Sequence, residues 1–162
     1  MSARLAPVRA AFYGYTADDT DPAMAAHVLA QQYQQCVSVL PDGAVTAVFY
    51  DVGARPHCWH TPATLNLGGR HADRAGGLQA LLTETSRQDR RFDFVISTAL
   101  DRLPRQADAV TAILRTLAIA GVELLLASEP RADDGPLPTP LRLYSVVYLD
   151  VLAGLVTEGD CR

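Results

Sequence analysis

Phe94-Val-Ile-Ser-Thr-Ala-Leu-Asp-Arg-Leu-Pro-Arg105 is the stretch whose reading decides the fold. The apolar run from Phe94 to Ile96 reads as a buried strand. It ends in small polar residues and then delivers one carboxylate, Asp101, and two guanidiniums, Arg102 and Arg105, to its C-terminal end. In an open α/β sheet, ligands sit in the crevice outside the carboxyl ends of the strands. Two arginines held there can grip a phosphodiester bidentately, which a lysine point charge cannot do.

Downstream of that strand, Gln106 to Ala120 reads as a helix with Val110, Ile113, Leu114, Leu117 and Ala118 on its apolar face, stopped by Gly121. Val122 to Ala127 is a further buried strand, and a proline-rich hinge spans Pro130 to Pro140. Leu141 to about Leu155 is apolar nearly all round, with Leu143, Val146, Val147, Leu149, Val151 and Leu152. A helix that apolar needs cover on several sides, and a partner subunit is the simplest source.

Upstream, Val8 to Tyr13 has strand character, with Gly14 as its expected stop. Asp21 is a good N-cap and Pro22 suits a first helical turn. Met24, Val28, Leu29, Gln32 and Cys36 then recur at helical spacing up to a turn at Leu40-Pro41-Asp42-Gly43. Ala44 to Tyr50 is a β-branched and aromatic strand running into Asp51-Val52-Gly53. An irregular stretch to about Arg70 follows, and Ala75 to Arg87 reads as an amphipathic helix carrying Leu78, Leu81 and Leu82. Strand and helix alternating in this way predict a three-layer α/β domain with a mostly parallel sheet. Residues 1–130 are expected to form the domain body, and residues 131–162 its hinge and oligomerisation helix.

A chain of 162 residues, 49% hydrophobic and 20% charged, fits one soluble globular domain. No apolar run approaches the roughly 18 residues of a membrane span, and Met1 to Arg9 has no secretory apolar core. Cys36, Cys58 and Cys161 are odd in number and scattered, which points to a reducing cytoplasm. The net charge of −4 supplies no global field that would draw the chain onto nucleic acid. All 14 basic residues are arginine, as in proteins of GC-rich genomes, so every side-chain cation other than histidine is planar and multidentate. No cofactor is expected.

Four segments resemble, in order, the catalytic domain of serine recombinases, the resolvase and invertase family. Ala10-Ala-Phe-Tyr-Gly-Tyr-Thr-Ala-Asp-Asp19 resembles the opening strand and nucleophile loop, A-x-Y-x-R-V-S-T-x-x-Q. Phe49-Tyr-Asp-Val-Gly53 resembles the end of the second strand, and Asp73-Arg-Ala-Gly-Gly-Leu-Gln-Ala-Leu-Leu82 resembles D-R-x-G-L-x-x-L-L with one extra glycine. Leu100-Asp-Arg-Leu-Pro-Arg105 resembles L-D-R-L-x-R, the most specific of the four. Thr139-Pro140 resembles the start of the long dimerising helix. The resemblance implies a flavodoxin-like sheet of strand order 2-1-3-4, sometimes with an added edge strand. It also implies recognition of DNA phosphates and subunit pairing through the last helix.

The departures carry as much as the matches. The family's nucleophilic serine falls on Ala17, and the arginine two residues before it falls on Tyr15. A methyl group cannot attack phosphorus, so the covalent phosphoserine step has no agent. The resemblance keeps Arg74, Arg102 and Arg105 as a phosphate clamp, with Asp51 and Asp101 to orient them. The acidic-arginine pair late in the final helix is missing, and no helix-turn-helix or zinc ribbon is expected after Arg162. The expectation is a catalytically inactive, regulatory, recombinase-like domain. It forms a dimer or tetramer through residues 141–155, with DNA as a weak partner, a further protein partner open and no membrane association.

Three alternatives stand beside it. In one, Thr16 or Thr20 substitutes for the serine and gives an active site-specific recombinase, although a hydroxyl beside no evident base is poorly activated. His57, Cys58, His60 and His71 cluster in one loop and are weak metal-ligand candidates, but no recognised zinc pattern fits and no metal is assigned. A nucleotide-binding flavodoxin-like protein is disfavoured because Gly14 to Asp21 is acidic and lacks a glycine-rich phosphate cradle. The bland reading of Arg102 and Arg105 is a pair of surface ion pairs with Asp101 and Asp108.

Overall fold

The run at Phe94 is a strand with neighbours on both sides. The computed structural model describes residues 7–17, 20–53, 61–99, 102–103 and 107–128, and the side chains of 107 and 108 are not among what it describes. Strands β1 (Ala10–Thr16), β2 (Val45–Val52), β5 (Phe94–Ser97) and β6 (Glu123–Leu126) form one parallel sheet in the order β2-β1-β5-β6. Counting sheet strands along the chain, this is the expected order 2-1-3-4. β5 takes Ala10, Ala11 and Phe12 of β1 opposite Phe94, Val95 and Ile96, and it aligns Phe94 to Ser97 with Glu123 to Leu126 of β6.

The pleat sends alternate side chains to opposite faces, so the sheet builds two cores. On one face Phe12, Val48, Tyr50 and Ile96 pack against Ala25, Leu29 and Cys36 of helix α1 (Pro22–Val37). On the other, Tyr13, Phe49 and Val95 pack against Leu81 of α2 (Leu78–Thr85) and against Ile113 and Leu117 of α3 (Ala107–Ile119). The result is the three-layer α/β architecture. α1 begins where the cap chemistry predicts: the Asp21 carboxylate accepts the Ala23 N–H at 2.9 Å, and Pro22 occupies the first turn. Its inward stripe is Ala25, Leu29, Gln32 and Cys36, whereas Met24 is 48% exposed. Burial pushes the Cys36 thiol up to about 12, which keeps it unreactive.

Tertiary packing overrides the local expectation at several places. β1 does not stop at Gly14 but runs through it to Thr16, paired with Tyr50 to Val52 of β2, and a β-carbon at Gly14 would lie 2.7 Å from Phe12 and 3.0 Å from Leu29. The glycine lets α1 seat closely on the strand. The stretch read as irregular up to Arg70 contains an antiparallel hairpin, β3 (Thr64–Asn66) and β4 (His71–Asp73), anchored by the fully buried Leu65. The next helix starts at Leu78 rather than Ala75, because Ala75 and Gly76 first pair with the edge of β2. The Ala75 N–H donates to the Val48 carbonyl at 2.8 Å, and the Tyr50 N–H donates to the Gly76 carbonyl at 3.0 Å. In α3, Ala118 is exposed rather than part of the inward face. The hinge from Pro130 and the helix expected over 141–155 lie outside the described residues. Among the described residues, no helix is long and apolar enough to cross a membrane.

Candidate phosphate site at the carboxyl edge of the sheet

Parallel strands put all their C-terminal ends on one edge, so the residues that end β1, β2 and β5 meet there. Register places Tyr15 of β1 opposite Asp51 of β2, and Thr16 opposite Val52. Asp51 is the hub. One carboxylate oxygen accepts the Tyr13 hydroxyl at 3.1 Å and the Leu78 N–H at 2.8 Å. The other accepts Nη2 of Arg74 at 3.2 Å. Arg74 also donates through Nε to the Tyr50 carbonyl at 2.9 Å, and its guanidinium lies 5.4 Å from the centre of the Tyr50 ring.

This arrangement makes Asp51 a capping residue delivered from another element. Gly77 provides no side chain for the start of α2, and the Asp51 carboxylate satisfies the first N–H in its place. A β-carbon on Gly77 would collide with both Asp51 oxygens, which is why the second glycine of the Gly76-Gly77 pair is needed. Burial, reinforced by the charge of Asp51, pushes the Tyr13 phenol far above the ordinary tyrosine value. The phenol is therefore a permanent donor to Asp51. Arg74 is held as half of an ion pair, not as a lone cation.

The strand end that carries Tyr15 and Ala17 is fixed from α1. β1 pairs with β5 only as far as Phe12, so beyond it the strand lacks a ladder on that side. The buried amide of Gln32 takes that role, accepting the Tyr15 N–H at 3.0 Å and donating to the Tyr15 carbonyl at 2.8 Å. Gln32 was legible only as one member of an apolar helical stripe, and its burial was the available signal. Ala17 is exposed at the mouth of the crevice, Tyr15 is half-buried, Thr16 is buried at 6% exposure and Thr20 is exposed.

Arg102 follows the end of β5, is half-buried, and donates its backbone N–H to the Ala99 carbonyl at 3.1 Å. The buried Leu103 beside it anchors that turn. Thus Tyr15, Ala17, Asp51, Arg74 and Arg102 all lie at one edge, with the Asp51–Arg74 contact direct. Asp101 and Arg105 lie outside the described residues, as do His57, Cys58 and His60. His71 is exposed on β4, and no group of three metal-ligating side chains forms among the described residues.

The hydroxyls of Ser97 and Thr98, at the end of β5, are buried and make no hydrogen bond among the described residues. An unpaired buried hydroxyl costs about 1–3 kcal/mol of desolvation. Ser97→Ala should therefore raise stability by about 1 kcal/mol in urea unfolding; destabilisation instead would mean that this hydroxyl has a partner in solution.

No family model matches the sequence, and no curated protein is significantly similar to it. Solved structures do match. A resolvase family site-specific recombinase from Streptococcus pneumoniae superposes with a TM-score of 0.51 at 14% identity, over 94% of this chain and 95% of that one. The C-terminal catalytic domain of ISC1926 TnpA, an IS607-like serine recombinase, gives 0.50 at 16% identity over 93% and 82%. The N-terminal catalytic domain of TP901-1 integrase gives 0.51 at 14% identity over 94% and 99%. With the sheet order and the three helices in place, the chain has the fold of serine-recombinase catalytic domains.

Proposed function

We propose that this domain is a serine-recombinase-like unit without strand-cleaving chemistry, which assembles with other copies through residues 141–155 and contacts DNA backbone in a regulatory role. One observation carries the reading. Ala17, an exposed methyl, stands where the resemblance puts the attacking serine, on a strand end that Gln32 fixes and whose Tyr15 is registered against Asp51, the ion-pair partner of Arg74. The scaffold that would orient a phosphate is kept while the attacking oxygen is gone. Loss of the nucleophile from a unit that acts together costs about 10⁶ in rate. A net charge of −4, with Arg74 already paired to Asp51, favours weak, salt-sensitive DNA contact.

The alternative, cleavage by a substitute hydroxyl, is narrowed by burial. Thr16 is 6% exposed and cannot meet a phosphodiester without opening the strand end, whereas Thr20 is exposed. Incubation with a supercoiled plasmid, followed by denaturing gels for protein-linked DNA, separates the readings. No nicked or covalently linked product is expected, while light scattering should give the mass of a dimer or larger. Cleavage that disappears in Thr20→Ala would establish the substitute-hydroxyl enzyme instead. A monomer that leaves a DNA duplex unshifted at low salt would remove both the assembly and the DNA contact.

A further inference from the structure

We propose that a cleft beside the amino-terminal half of β2, at the other end of that strand from Asp51, binds a small organic oxyanion, a carboxylate or a phosphate monoester. The cleft measures about 380 Å³, within the usual range for ligand pockets. It lies between Val45 to Val48 of β2 and residues of the β3–β4 hairpin, whose continuation pairs with β2 at Ala75 and Gly76. Tyr33 of α1 closes one side.

Three donor-bearing side chains of the lining are uncommitted. Among the described residues, the Tyr33 hydroxyl, the Arg70 guanidinium and the His71 ring make no hydrogen bond or ion pair. Several other described arginines are committed elsewhere: Arg9 to Asp93, Arg74 to Asp51, Arg87 to Asp89, and Arg90 to the Phe92 carbonyl. Arg91, which also lines the cleft, is taken by Glu84 through bonds of 2.7 and 2.6 Å. Arg70 is thus the cation available to a ligand there. Its planar fork suits a carboxylate or phosphate edge bidentately. Tyr33 offers an O–H donor: burial raises its pKa, and Arg70 is close enough to act in the opposite sense.

The rest of the cleft defines the ligand further. Val48, Leu67, Ala72 and Ala75 give an apolar wall for a hydrocarbon body. Asp73, the carboxylate of the lining, repels a second negative charge, so a single oxyanion at the Arg70 end is preferred. The same hairpin continues directly into Arg74, whose N–H donates to the Ala63 carbonyl at 2.9 Å. A ligand seated on Arg70 would therefore stabilise the segment that carries the arginine of the carboxyl-edge site.

The test is a titration of the full chain, at constant ionic strength, with benzoate, phenyl phosphate and inorganic phosphate, followed by NMR at arginine Nε and histidine ring resonances. Saturable shifts at Arg70 and His71 are expected with benzoate or phenyl phosphate, and the tighter of the two identifies the oxyanion. Inorganic phosphate, which cannot use the apolar wall, should bind about threefold or more weaker than the better organic probe. Arg70→Ala should weaken binding about tenfold or more, and Arg70→Lys about fivefold, because the charge stays but the fork is lost. Arg70 is exposed, so these variants keep the fold, which their amide spectra would verify. Tyr33→Phe, an independent probe of the same cleft, should weaken binding about threefold. Non-saturating shifts, shifts at Arg74 in place of Arg70, or equal affinity in Arg70→Ala would overturn the proposal.

Discussion

Replacing Asp51 with alanine is expected to destabilise the domain by about 3 kcal/mol in urea unfolding. Three donors lose their acceptor at once: the Tyr13 phenol, 2% exposed; the Leu78 N–H in the first turn of α2; and Arg74. Hydrogen bonds to a charged group contribute about 1.5–3 kcal/mol each, and a buried donor stranded without a partner costs its full desolvation. Asp51 and Arg74 are each about a quarter exposed, at 24% and 26%, so water takes over part of the ion pair. The tyrosine and the helix start are not rescued in that way. Asp51→Asn keeps an acceptor but gives up the charge, and should cost about half as much. A loss below about 1 kcal/mol for Asp51→Ala would show that the carboxylate is solvated rather than the hub of this edge.

The second large effect is expected at Gly76, and its origin is the backbone. Gly76 has φ +154°, a region almost reserved for glycine, and a β-carbon there would collide with that of Ala80. Its carbonyl meanwhile accepts the Tyr50 N–H, which ties the peptide to the edge of β2. The chain cannot relax the clash without breaking that bridge. Gly76→Ala should therefore cost about 3 kcal/mol and lower the melting temperature by about 10 °C. Gly43→Ala is the control: φ is +73°, but the space around it is open, so only about 1 kcal/mol is expected. Equal losses at the two positions would mean that the contact with α2 contributes nothing.

Much of this fold is local enough to read without coordinates. The β-branched run at Val45 to Tyr50, the apolar run at Phe94 to Ile96 and the period of Val110, Ile113 and Leu117 each carry their own signal, because burying one face demands it. The cap at Asp21-Pro22 is equally local. The motif order also pointed to a sheet of order 2-1-3-4, and the strands follow it. The β3–β4 hairpin escaped because its strands are three residues long and only Leu65 is fully buried, too short a pattern to separate from loop.

The site divides in the same way. Asp51 and Arg102 could be picked out as charged residues at strand ends, since charge next to a buried run is visible in one dimension, whereas Arg74 stood out only through the resemblance of Asp73-Arg74 to the family motif. Their partners could not. That Tyr13 donates to Asp51, that Gln32 completes a missing ladder and that Gly14 is a packing contact rather than a stop all depend on elements distant in sequence. Sequence alone determined which segments are strands and helices and which side chains bear charge, because those follow from periodicity and chemistry within a few residues. Only the tertiary structure decided which donor meets which acceptor, because hydrogen bonds and close contacts act over about 3 Å, between neighbours that the folded chain alone brings together.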